Sequence, residues 1–114
     1  MTDQARMPNA EAICRTAAEL VGGERTLQHG DKLPNHQAIA DLWNAYLEGR
    51  GKQLGYAQMV QITALDVAVM MIFVKIARTF TGRKHNLDNF IDMAGYSGVA
   101  GEIAELSQPR GETK

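Results

Sequence analysis

The chain lacks several of the features that sort proteins into broad classes. It has a single cysteine, Cys14, among 114 residues. No intrachain disulfide can form, and a reducing cytoplasm is the expected compartment. Cys14 itself reads as a small buried side chain on the first helix and not as a nucleophile. Long hydrophobic runs are missing too. The longest, "VAVMMIFV" at 67–74, is far short of the roughly 20 residues that a membrane span needs. The opening residues "MTDQARMPNAEA" hold no apolar core of a signal peptide. No membrane partner is expected.

Neither charge is in excess. The formal net charge is −1, whereas a duplex-DNA binder usually carries a basic surplus, so nucleic acid is an unlikely partner on these grounds. There is no G-x-S-x-G, no phosphate-binding P-loop and no Rossmann fingerprint. His29, His36 and His85 match no standard zinc spacing.

What remains is an ordinary globular composition, with 45% hydrophobic and 22% charged residues. The length suits one domain. It is placed at 9–106, between a flexible N-terminus (1–8) and a flexible C-terminal tail (107–114).

Four helices are predicted, and no strand. The first covers about 9–21, with Asn9 as N-cap, Ile13, Ala17, Leu20 and Val21 as its apolar stripe, and Gly22 and Gly23 as its end. The second covers about 35–48. Ile39, Leu42, Trp43, Tyr46 and Leu47 give it an amphipathic period, and Gly49 and Gly51 are expected to close it. Trp43 and Tyr46 read as core aromatics. The third opens at "TALD" (63–66), where Thr63 and Asp66 form a capping-box variant. It is apolar almost all round up to Phe80 and so is expected to be the central helix. The fourth, about 87–106, is capped by Asn86. It contains Gly95, Gly98 and Gly101, each costing up to about 1 kcal/mol against alanine. Such a cost points to close approach of another helix, a ligand or a second subunit. The expected fold is therefore all-α, a compact four-helix bundle-like domain, and a homo-oligomer.

Three groups of residues could carry chemistry. Asp88 and Asp92 lie four apart on one helical face, with Asn89 beside them. They can complement the helix dipole, pair with basic residues, or receive a metal or a ligand's hydroxyls. Lys75 and Arg78 are the cations of the apolar third helix. They need either carboxylate partners or a bound phosphate. The loop "GERTLQHGD" places Arg25, His29 and Gly30 together, a combination that suits ligand contact as well as a solvated connection.

The pieces "HGD", "DVAVMM", "KIAR" and "DNFIDMAGY" resemble an uncharacterised family of small tailed-phage and prophage proteins, over about residues 17–104. More distantly, the order His-Gly, Lys-x-x-Arg and Asp-x-x-x-Asp-x-x-x-Tyr is similar to the nucleotide-modification-associated helical domain of phages. That domain in turn looks like the MazG-type all-α nucleoside triphosphate pyrophosphohydrolases.

This resemblance implies a MazG-like fold with Gly30 in a ligand loop and Lys75 and Arg78 facing phosphate. Asp88 and Asp92 would be an acidic pair, with Tyr96 packed below it. MazG-type enzymes hold Mg²⁺ with two acidic pairs on different helices. Here the second helix offers Asp41 but no acidic pair, and Asn89-x-x-Asp92 puts an amide where an acid is expected.

The favoured expectation is binding of a nucleotide or cyclic nucleotide signal without turnover and with no cofactor. Such a protein could act as a sponge for a host defence messenger. Arg25, His29, Gly30, Lys75, Arg78, Asp88, Asn89, Asp92 and Tyr96 would be its ligand residues. One alternative is a Mg²⁺-dependent pyrophosphohydrolase using Asp66, Asp88 and Asp92. Another is a protein-interaction module with no small-molecule site.

Overall fold

The structure is a computed structural model, and it describes residues 9–23 and 32–108. The described residues form four α-helices and no strand: α1 (Ala10–Gly22), α2 (Lys32–Leu54), α3 (Ala64–Thr81) and α4 (Leu87–Leu106).

The helix starts are written in the sequence. The Asn9 side chain accepts from the backbone N–H of Ala12 at 2.8 Å. At α3, Thr63 and Asp66 form a reciprocal capping box. The Thr63 hydroxyl accepts from the Asp66 N–H at 3.1 Å, and the Asp66 carboxylate accepts from the Thr63 N–H at 2.9 Å. Asn86 accepts from the Asp88 N–H at 3.0 Å and opens α4. Each cap satisfies donors that the first helical turn leaves without intrahelical partners.

α2 departs from expectation at both ends. It begins at Lys32, because Pro34 falls in the first turn, where its missing N–H costs nothing. It also runs through Gly49 and Gly51 to Leu54. A helical glycine weakens a helix without stopping it. The stop comes at Gly55, whose φ of 81° leaves the helical region. Gly51 serves the return of the chain instead. A Cβ there would lie 2.5 Å from the Tyr56 carbonyl oxygen, and the Gly51 carbonyl accepts from the Tyr56 N–H.

The segment after α2 is held by one side chain. Asn44 donates to the Ile62 carbonyl at 2.9 Å and accepts from the Ile62 N–H at 2.8 Å. Its oxygen also accepts from Gln58 Nε2 at 2.9 Å.

The central helix is α4, not α3, since α4 packs against each of the other three. Small residues explain this. Gly95 is buried, and a Cβ on it would meet Val21 Cγ1 of α1 at 3.1 Å. Around Gly98 and Gly101 there is open space, so among these three glycines only Gly95 serves a close helix approach within the chain. Against α3, α4 buries Val99 and Ile103 in one cluster with Ala64 and Ala68.

The apolar surface of the chain is only partly used. Cys14 is exposed, because the buried line of α1 runs through Ala17 on a different face. On α2 the buried residues are His36 and Ala40, while Leu42 is 70% and Tyr46 66% exposed. The face of α2 that meets its neighbours is thus rotated from the expected stripe, and Tyr46 is not a core aromatic. α3 buries Ala64, Val67 and Ala68 near its start and leaves its opposite face in solvent. These exposed faces make the domain less closed than the compact bundle expected from its pattern.

Candidate functional site

α3 and α4 run antiparallel, joined by the short turn 82–86. Ala64 and Ala68 cluster with Val99 and Ile103 at one end. Toward the other end, Lys75 Nζ lies 3.0 Å from Asp92 Oδ2. The same register sets Arg78 level with Asn89, so the C-terminal half of α3 faces the N-terminal half of α4 across a polar seam.

The seam is built by helical periodicity. Lys75 shares a face of α3 with Ala64 and Ala68. Asp92 shares a face of α4 with Val99 and Ile103. Both helices therefore aim an ionisable group along a buried stripe, and each is the other's solution. The side chains of Lys75 and Asp92 are 11% and 27% exposed. An isolated charge at that depth is costly, and a paired one is tolerated.

Asn89, one turn from Asp92, is only 8% exposed. Among the described residues its carboxamide makes no hydrogen bond. Among the described residues, no buried side-chain nitrogen or oxygen is sealed from solvent without a partner, so the Asn89 amide keeps a window outward. A nearly buried amide with two donors, an acceptor and no partner is unusual in a folded protein.

The remaining candidates fall around this point. Asp88 is on the exposed first turn of α4, and Arg78 is exposed at the last turn of α3. Tyr96 is half-buried one turn below Asp92. Its ring meets His36 of α2 edge-on, at 6.5 Å between centroids and 68° between planes. Lys75 and Asp92 are thus brought into contact, with Arg78, Asp88 and Asn89 within about one turn of them along their helices, while Tyr96 sits at mid-helix against α2. Arg25, His29 and Gly30 lie outside the described residues.

Asp66 is not part of this group. It is committed to the α3 capping box, nine residues before Lys75, which is about 13 Å along the helix at 1.5 Å per residue. Among the described residues, no three His, Cys, Asp or Glu side chains converge as a metal site would require. The set Asp66, Asp88 and Asp92 is not assembled.

Two features escaped the sequence reasoning. His36 was weighed only as a zinc ligand, yet it is buried and holds Tyr96. Its Nδ1 lies 2.8 Å from the Lys32 carbonyl oxygen, which fixes the ring. The recurrence of His36, Ala40 and Trp43 at i, i+4 and i+7 was the available signal. The second is a Glu-x-x-Glu spacing, Glu102 and Glu105, near the end of α4. Glu102 lies 3.9 Å from Lys32 Nζ. Both glutamates are ten residues or more beyond Asp92, about 15 Å along the helix, so they do not complete an acidic site there.

A family described as "Domain of unknown function (DUF6378)" matches residues 12–104. The chain is also similar to two phage proteins named "Gene 55 protein". The one from Mycobacterium phage L5 is 43% identical over 88 residues, 77% of this chain and 49% of that protein. The one from Mycobacterium phage D29 is 38% identical over 96 residues, 84% of this chain and 56% of that protein. The chain spans about half the length of these curated relatives. No solved structure matches it.

Proposed function

The chain belongs to the DUF6378 family of domains of unknown function, and from that premise we propose that it binds a nucleotide or nucleotide-derived signal without turning it over. The observation that carries this reading is the Asn89 carboxamide, almost buried and unpartnered beside the Lys75–Asp92 ion pair. Its nitrogen and oxygen reach solvent through a narrow window, so a ligand's donors and acceptors can take the place of water there.

A nucleotide has the chemistry to do so. Its base edge offers matched donors and acceptors to the carboxamide, and a ribose hydroxyl can donate to the free oxygen of Asp92. Its phosphates suit Arg78, whose planar fork is exposed near the end of α3. Lys75 is held at the centre by Asp92 and gives the seam a fixed positive charge. Arg25 and His29 are further candidates for phosphate contact. The acids near the site, Asp88 and Asp92, act here as acceptors for a ligand and not as metal ligands. Because the curated relatives are phage proteins, retention without turnover would serve to sequester a host signal, such as a defence messenger.

A thermal-shift and calorimetric panel of nucleoside triphosphates, monophosphates and cyclic dinucleotides tests the proposal. A saturable rise in melting temperature with at least one member, lost in Asn89→Leu, is the expected result. Incubation with nucleoside triphosphates and Mg²⁺ gives the opposing outcome. Release of pyrophosphate that disappears in Asp92→Asn would replace binding with hydrolysis.

A further inference from the structure

The outer face of α3 is an apolar feature that the site does not use. Val69, Met70, Phe73, Val74, Ala77 and Phe80 recur with helical spacing on the side away from Ala64, Ala68 and Lys75. Phe73 is 62% and Phe80 82% exposed, and Val69, Met70 and Val74 are each about two-fifths exposed. Between Val67 and Thr81 the charged residues are Lys75 and Arg78, and Lys75 turns toward α4. The stripe itself carries no charge.

We propose that a second copy of this chain covers this stripe, with α3 packed on α3 about a two-fold axis. Area is the first argument. At about 150–250 Å² for a whole aromatic side chain, the two phenylalanines leave roughly 300 Å² in solvent. The valines and Met70 raise the stripe to the order of 500 Å², at the upper end of what a monomer exposes in one patch. A stable interface takes about 800 Å² from each partner, a little over half of it apolar. The stripe supplies that apolar half.

Complementarity is the second. An uncharged face asks for an uncharged partner, and a two-fold interface presents each face to itself. One antiparallel register sets Phe73 against Ala77 and Phe80 against Met70, so that each ring meets a side chain without one. Finally, the largest fully buried side chains among the described residues are Val67 and Ile103. A core that small leaves a domain marginal, and oligomerisation is a common remedy.

Sedimentation equilibrium on the full chain tests the proposal, together with thermal unfolding over a range of protein concentrations. The expected mass is that of two copies, with a melting temperature that rises with concentration. Phe73→Glu and Phe80→Glu should each lower the mass to one copy or weaken association at least tenfold. Should both variants fail to fold, the wild-type mass and the concentration dependence decide the matter. A folded wild-type monomer whose melting temperature ignores concentration overturns the proposal. So does an assembly of any size that survives Phe73→Glu and Phe80→Glu. A larger assembly that these variants dissolve supports the α3 face as one of its contacts.

Discussion

Lys75 Nζ and Asp92 Oδ2 stand 3.0 Å apart where the inner faces of α3 and α4 meet. Two helices that otherwise pack alanine against valine and isoleucine place one ionic contact on the same line. Such a pair is weak evidence for stability, because desolvation of both groups offsets their attraction. Its position at the centre of the polar seam is the more informative fact.

Removing one partner should therefore hurt more than removing both. Asp92→Asn leaves the Lys75 ammonium without its counter-charge, and should lower unfolding free energy by about 1–3 kcal/mol, allowing for partial solvent screening. The double change Lys75→Met with Asp92→Leu should recover most of that loss. Chemical denaturation of the two variants measures the difference. Under the proposed function, ligand response is absent from both, which separates the structural role of the pair from its binding role.

Asn89 gives the inverse pattern. Its side chain makes no hydrogen bond among the described residues, so Asn89→Leu should leave stability unchanged or raise it by up to about 1 kcal/mol. Nucleotide affinity should fall about tenfold or more, the value of one lost hydrogen bond and its neighbour. Isothermal titration and urea unfolding on one preparation would show both effects. A large loss of stability would mean that the amide holds the fold instead.

The α3 cap is a control at the other end of the helix. Thr63→Ala should cost about 1 kcal/mol through the lost N-cap, read as a lower midpoint in urea. The same change should leave any nucleotide response intact, since the box lies about 13 Å along α3 from Lys75.

Glycines of α4 separate by what surrounds them. Gly98 faces open space, so Gly98→Ala should stabilise by up to about 1 kcal/mol through helix propensity alone. Gly95→Ala gains the same propensity but presses its new methyl onto Val21, 3.1 Å away. Its net effect should be near zero or negative. Gly95→Leu should displace α1, with loss of helical signal by circular dichroism.

Local chemistry made the helix starts legible in the sequence. Asn9, Thr63 with Asp66, and Asn86 each act within three residues of themselves, and no tertiary partner is needed to predict them. The meeting of Lys75 with Asp92 was equally readable, since a short turn must fold α4 back on α3. The face of α2 was not. Ile39, Leu42 and Tyr46 make the stronger apolar period, yet the chain buries His36 and Ala40. Apolar period marks side chains that can be buried, whereas the face that meets a neighbour depends also on how closely that neighbour can approach. α3 misled for the same reason. A helix apolar on all sides reads as central, but α4 occupies that place because its small residues admit close neighbours. The end of α2 depended on one backbone angle at Gly55, and no property of Gly49 or Gly51 announces it.

The Asn44 clamp sets a different kind of rule for this fold. By giving Ile62 both a donor and an acceptor, one side chain does for a single residue what a neighbouring strand does for a whole edge. The joint between α2 and α3 is thereby encoded by hydrogen-bond direction and not by volume. Greasy neighbours such as Leu42 or Ile39 can drift in identity without changing how the two helices meet. Asn44→Asp, nearly identical in shape, cannot, because it deletes the one donor that tells Ile62 which way to face.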